Sequence, residues 1–234
     1  MISTAIRALQ RVATAEDVER LKQVLRDEPF DNTEEAVVAL EAIGHEGEQA
    51  LRDLAFEEHS PAGAYFVARE GDSRGREILV ERLQEGDPQQ TNAAEFLREL
   101  RDERCIPYFA EVLRTTMHWR GAFVALELGK IGTPEAVAAL VEALSSTSQH
   151  VRRGAVRGLI EARDPASIEP LIECLVNDED SKVRGLVGSA LVEIGEEAAA
   201  QLTVALQEGR IQGKQRQILA KRVLSEMGVE AEPS

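Results

Sequence analysis

The sequence predicts an all-α fold, a right-handed α-solenoid of about seven stacked helical hairpins. Three observations lead there. An apolar residue recurs along the chain at separations of 27, 30, 31, 31, 32 and 33 residues. A glycine stands at a fixed distance after it in most repeats, as a helix stop. After each stop, a second run of helical apolar spacing begins.

The recurring markers are Leu40, Val67, Leu97, Leu128, Leu159, Leu191 and Leu224. Three residues on come Ile43, Glu70, Leu100, Ile131, Ala162, Ile194 and Met227, so Glu70 breaks the apolar column. Four residues on come Gly44, Gly71, Arg101, Gly132, Arg163, Gly195 and Gly228. Glycine at five of these seven places is what a left-handed helix stop favours. The helices between stops are clearest at Val137, Leu140, Val141 and Leu144, then at Ile168, Leu171, Ile172 and Leu175. Each follows a proline, Pro134 or Pro165, where a missing N–H costs little. Each unit is thus two helices of about 10–14 residues joined by tight turns. One hairpin cannot bury both of its apolar stripes, whereas stacked hairpins share a core. The expected organisation is a single solenoid over residues 1–230. It has N-terminal cap helices at 1–30, central repeats at 31–209, a C-terminal cap helix at 210–228 and a frayed tail at 229–234.

Composition agrees. An apolar share of 43% over 234 residues suffices for a continuous core and does not suit a disordered chain. Aromatics at 4% argue against a β-sandwich or barrel. The 42 acidic and 27 basic residues leave a net charge of −15, which opposes nucleic-acid binding through phosphate neutralisation. The N-terminal segment lacks an apolar run of signal-peptide length, and no stretch of about 18 apolar residues occurs. Cys105 and Cys174 form no CxxC pattern, and Cys174 in PLIECLV reads as a small core residue. A cytoplasmic location is expected.

The segments LGKIGTPEAVAALVEAL and VRGLVGSALVEIG resemble HEAT repeats, of the short bacterial type found in phycobilisome-lyase-like proteins. The resemblance covers nearly the whole chain and is strongest from Trp119 to Gly195. It implies binding of other proteins. A few members of the family attach bilins, hydroxylate a lysine-derived residue or recognise damaged DNA. It also implies that the second helix of each hairpin, the one with the marker, lines a concave face.

On the marker helices, the position two before each marker points about 200° from the core. That column reads Val38, Tyr65, Glu95, Leu126, Arg157, Ser189 and Arg222. Six before the marker it reads Glu34, Pro61, Thr91, Ala122, Arg153, Gly185 and Ile218. These columns vary while the core column does not, as both a recognition surface and a solvated face would. The candidate partner-binding residues are Tyr65, Glu95, Trp119, Leu126, Arg153, Arg157 and Arg222, with Tyr65 and Trp119 as anchors. Arg120, Arg152 and Arg184, each 32 residues apart, read as a structural arginine ladder. In such a ladder each arginine bonds a carboxylate or carbonyl of the preceding turn. Asp178, six before Arg184, fits; Ser146 and Arg114 occupy the matching places before the other two, so the ladder looks incomplete.

Nothing in the sequence assembles catalysis. Phosphate-loop, GxSxG and HExxH patterns are missing. His118 and His150 stack one repeat apart, but Lys182 takes the third place, and a metal needs three or four ligands. The family's hydroxylases bind iron through repeated His-Glu pairs; here only His45-Glu46 occurs, so that activity does not transfer and His45 reads as a turn residue. No metal or cofactor is expected. The chain therefore reads as a non-catalytic interaction module or scaffold that binds a protein or peptide along the inner-helix surface. The acidic charge favours a partner with a basic region. The enzyme-class alternative is a bilin-lyase-like subunit or chaperone for cofactor attachment, which co-expression with a phycobiliprotein and bilin would reveal as a coloured adduct.

Overall fold

A computed structural model describes residues 14–27, 33–85, 90–115 and 120–229. The chain divides into two compact units, residues 1–105 and 106–234. Among the described residues there are α-helices and short 3₁₀ turns and no strand.

The first unit holds α1 (Val18–Asp27), α2 (Thr33–Ile43), α3 (His45–Phe56), α4 (Pro61–Arg69), α5 (Ser73–Glu85) and α6 (Gln90–Glu99). The second holds α7 (Ile106–Thr115), α8 (Arg120–Ile131), α9 (Pro134–Ala143), α10 (Gln149–Ala162), α11 (Ile168–Asn177), α12 (Ser181–Ile194), α13 (Glu196–Gln207) and α14 (Lys214–Glu226). The even-numbered helices carry the markers; the odd-numbered ones are the return helices. Within the first unit α2, α4 and α6 neighbour one another in sequence. Within the second, α8, α10, α12 and α14 do the same. Return helices also meet their like: α1 with α3, α7 with α9, and α11 with α13. Hairpins stacked in two layers make this an α-solenoid fold.

The markers explain the stacking. All seven are 0–3% exposed, so each lies in the packed interior of its unit. In the first unit Leu40 and Val67 join Leu21, Leu25, Leu51, Leu54 and Phe66 in one core. Burying a leucine side chain stabilises by about 1.5–3 kcal/mol, so each marker contributes substantially to the core of its unit.

All seven stop positions adopt positive φ, between 51° and 95°. Arg101 and Arg163 do so although they are not glycine, at 55° and 51°. The backbone bonds show why the position matters more than the residue. Gly132 N, Arg163 N and Gly195 N donate to the marker carbonyls of Leu128, Leu159 and Leu191 at 3.0–3.2 Å. In the other arrangement the residue after the stop closes the helix: Asp72 N, Asp102 N and Val229 N donate to the carbonyls of Val67, Leu97 and Leu224. In these six the marker's own carbonyl is satisfied by the turn, whereas Gly44 N donates to the Glu41 carbonyl at 3.0 Å. The prolines sit where expected: Pro134 opens α9 behind Thr133, whose Oγ accepts from Ala136 N at 3.4 Å, and Pro165 opens a 3₁₀ turn behind Asp164.

The crossing of marker helices α8 and α10 is tight. An added Cβ on Gly158 of α10 would lie 2.3 Å from the Ala125 carbonyl oxygen of α8. A Cβ on Gly129 of α8 would meet the Gly158 carbonyl at 2.3 Å, and one on Gly154 would lie 2.4 Å from Ala122 Cα. Backbone packs directly on backbone here, which only glycine and alanine permit.

Candidate functional site

The two kinds of helix offer different chemistry, and the marker helices carry the sequence-predicted residues. The column two before the marker is accessible along its length: Val38, Arg157, Ser189 and Arg222 are exposed, and Tyr65, Glu95 and Leu126 are half-buried. One helical step of about 200° separates these side chains from the buried marker. Trp119 and His118 lie outside the described residues, as do residues 1–13, 28–30 and 230–234 of the expected cap and tail and the side chain of Arg120.

Tyr65 is committed within the protein. Its hydroxyl donates to Glu99 Oε2 at 2.6 Å, and its ring stacks on Phe96 with centroids 4.4 Å apart and planes 12° apart. The Arg69 guanidinium lies 5.6 Å from the ring centre and pairs with Glu41 at 3.2 Å. The chain α2–α4–α6 is thus tied across its face by Glu41, Arg69, Tyr65 and Glu99. Burial, reinforced by the bond to Glu99, pushes the phenol up to about 12.

Arg152 and Arg184 hold their hairpins' turns. Arg184 Nη1 donates to the carbonyls of Asp178 and Glu179 at 2.7 and 2.9 Å. Arg152 Nη1 donates to the matching carbonyls of Ser146 and Thr147 at 3.0 and 3.3 Å. The acceptor six residues earlier is backbone, so the side chain at that position is immaterial. The Asp178 carboxylate turns the other way and takes a forked pair from Arg152 of the preceding hairpin, at 2.7 and 3.1 Å. Asp178 raises the Arg152 guanidinium further. Gln217 belongs to the same register, seven before its marker, and donates to the Ile211 carbonyl six residues back at 3.1 Å. Arg120 stands eight before Leu128, where Gly121 takes the seventh place.

Arg152 and Asp178 also line a cleft of about 480 Å³ with Val141, Leu144, Pro170 and Cys174. Burial, with Asp178 nearby, pushes the Cys174 thiol up to about 12, and burial pushes Cys105 up to about 11. Both thiols stay protonated at neutral pH and are weak nucleophiles there. Among the described residues no three His, Cys, Asp or Glu converge as metal ligands. No helix of the described residues is long and apolar enough to cross a membrane. His45 is the first residue of α3, and His150 is exposed near the start of α10.

The profile of the HEAT repeats family matches residues 76–154 and again 137–210, more than half the chain. The chain belongs to the HEAT repeats family. The HEAT match spans the tight α8–α10 crossing and the arginine ladder. No curated protein matches this HEAT chain. Two crystal structures of engineered proteins from the Northeast Structural Genomics Consortium are similar to it. One is 21% identical, covering 97% of this chain and 75% of the other, with a TM-score of 0.49. The second is 22% identical, covering 93% of this chain and 99% of the other, with a TM-score of 0.42.

Charge sorts by layer in the last three hairpins. The return helices α9, α11 and α13 carry Glu135, Glu142, Glu169, Glu173, Glu196 and Glu197 and no Lys or Arg. The marker helices α10, α12 and α14 carry nine Lys or Arg against three Glu. Composition alone hides this, because the two layers alternate along the chain and cancel in any window that spans a hairpin.

Proposed function

We propose that this HEAT-repeat chain is a non-catalytic interaction module that binds a protein or peptide on the exposed face of its marker helices. The observation that carries the reading is the contrast between adjacent positions on those helices. The marker column is uniform and buried, whereas the column two residues earlier is accessible and differs from hairpin to hairpin. A repeated helical frame with a varied accessible column suits recognition, since specificity comes from differing contacts. The marker spacing of 27–33 residues fits the short phycobilisome-lyase-like type of HEAT unit.

A photo-crosslinking amino acid tests the site. Placed at Ser189 it should capture a partner from an extract of the source cells; placed at exposed Ala138 or Glu173 on the return helices it should not. Capture from the return-helix positions alone would overturn the assignment.

A further inference from the structure

We infer that the marker-helix face of α10, α12 and α14 takes an acidic peptide segment that also presents an apolar side chain. This rests on the interaction reading above and adds the chemistry of the partner. Six positions form the array. Arg153 and Arg157 are one turn apart on α10, so they share a face. Ile218 and Arg222 are likewise paired on α14. Between them α12 offers only Gly185 and Ser189. A Cβ on Gly185 would meet nothing within 4 Å, and Ser189 is exposed. Neighbouring helix axes lie roughly 8–10 Å apart, so the flanking side chains stand roughly 16–20 Å apart across a low floor. One helix of about 10 Å diameter, or an extended strand, fits that width.

The flanks carry unspent charge. Arg153 and Arg157 form no ion pair within 4 Å among the described residues, and Arg153 Nε is buried without a hydrogen-bond partner. Asp180 feels the charge of Arg153, but its carboxylate is already taken by the Lys182 backbone N–H at 2.7 Å, the main reason its pKa is lowered. Among the described residues Arg222 reaches only its own helix's Glu226, at 3.5 Å and with both side chains more than half exposed, a pairing worth little. Elsewhere several arginines are spent on carboxylates: Arg26 forks onto Glu58, Arg69 holds Glu41, and Arg104 bridges Glu77 and Asp102. A protein of net charge −15 that leaves two guanidinium groups unpaired side by side is set up for carboxylates from outside. Ile218, 57% exposed, supplies the apolar contact. A peptide suits this face better than a nucleic acid. The array holds three arginines and no aromatic ring for base stacking, and the overall charge repels a polyphosphate.

The test is fluorescence anisotropy with short labelled peptides built from glutamate and leucine, from lysine and leucine, and from glutamate alone. A labelled single-stranded oligonucleotide serves as the competing polyanion. The glutamate–leucine peptide should bind at low salt, weaken as salt rises, and exceed the other three probes. The R153E/R157E pair should weaken it by about tenfold or more; Ile218→Ser should weaken it and erase its advantage over the all-glutamate peptide. Arg157 and Ile218 are exposed and Arg153 is half-buried; an unchanged melting temperature confirms that the variants fold. No binding of the glutamate–leucine peptide, equal binding by the charge-reversed variant, or tighter binding of the oligonucleotide each overturns the inference. Crosslinking from Ser189 keeps the two claims separable. Capture there of a segment rich in Lys and Arg overturns the acidic-peptide inference and leaves the interaction face standing; capture only from the return helices overturns both.

Discussion

Replacing Gly158 with alanine sets two known effects against each other. In an exposed helix interior the change stabilises by about 1 kcal/mol, because glycine loses more backbone freedom on folding. At Gly158 the new Cβ would lie 2.3 Å from the Ala125 carbonyl oxygen and 2.8 and 3.0 Å from the two δ carbons of Leu140. Leu140 can change rotamer, but the Ala125 oxygen is backbone of α8. Ordinary contact begins at 3.4 Å, so α10 must recede from α8 by about 1 Å. That movement also opens the Gly129 and Gly154 contacts on the same crossing, and a gap of this size forfeits roughly a quarter to a half of each dispersion well. Overpacking of this kind costs typically ~1–3 kcal/mol beyond what propensity returns. A chain of this length should then melt roughly 3–10 °C lower. The companion change is Gly185→Ala on α12, where the Cβ meets nothing. It should raise the melting temperature by roughly 2–4 °C, close to the pure propensity gain. Thermal unfolding followed by circular dichroism reads both. A rise for Gly158→Ala equal to that for Gly185→Ala would refute the backbone-to-backbone crossing.

Three further outcomes follow from the same structure. Asp178→Ala leaves Arg152 without its forked carboxylate at a site where the two side chains are 4% and 17% exposed, and should cost about 2–3 kcal/mol in denaturant unfolding. Combined with Arg152→Met the loss should be smaller than the two single losses added, and strict additivity would argue against the pair. Tyr65 should titrate near 12 by phenolate absorbance, and Glu99→Gln should lower that value without returning it to 10, because burial is the larger cause. Since the folded phenol is raised above 10, its contribution to stability is whole below pH 10 and is lost as pH climbs through 12; a gain in stability over that window would contradict the bond. Arg101→Gly relieves a left-handed residue at φ 55° and should stabilise by about 0.5–1 kcal/mol; a loss would mean that Arg101 holds something besides the turn.

The sequence makes the fold legible because one physical requirement repeats. Each hairpin needs an apolar residue in the core and a left-handed turn four residues later, and both leave fixed marks at Leu40 through Leu224 and at Gly44 through Gly228. The two arginines among the stops obey the same geometry without the same letter, since the closing bond uses the marker's carbonyl. The ladder was half-legible for a similar reason. Looking for a carboxylate six residues before Arg152 finds Ser146, while the true acceptor is that residue's carbonyl, which every residue possesses. Gln217 goes unnoticed in a search for arginines, although its amide fills the same role. The tight crossing needs Gly129, Gly154 and Gly158 to be seen as facing pairs, and spacing along one helix does not say what faces it. For the candidate site, Arg153, Arg157 and Arg222 could be placed on one face by counting from the marker. That two of them lack partners, and that Tyr65 is already held by Phe96 and Glu99, depends on side chains about one repeat away.

Register is the claim on which fold and site both stand, and thiol labelling reads it directly. Cysteine at Leu191 lies in the buried core, and cysteine at Ser189, two residues earlier, lies on the proposed binding face. The native Cys105 and Cys174 are buried, with thiols raised to about 11 and about 12, and give a slow background. The Ser189→Cys thiol should react at the rate of a free thiol, and the Leu191→Cys thiol slower by orders of magnitude under native conditions, with both equal in denaturant. Fast labelling at 191 with protection at 189 would place the helix the other way round and contradict the account.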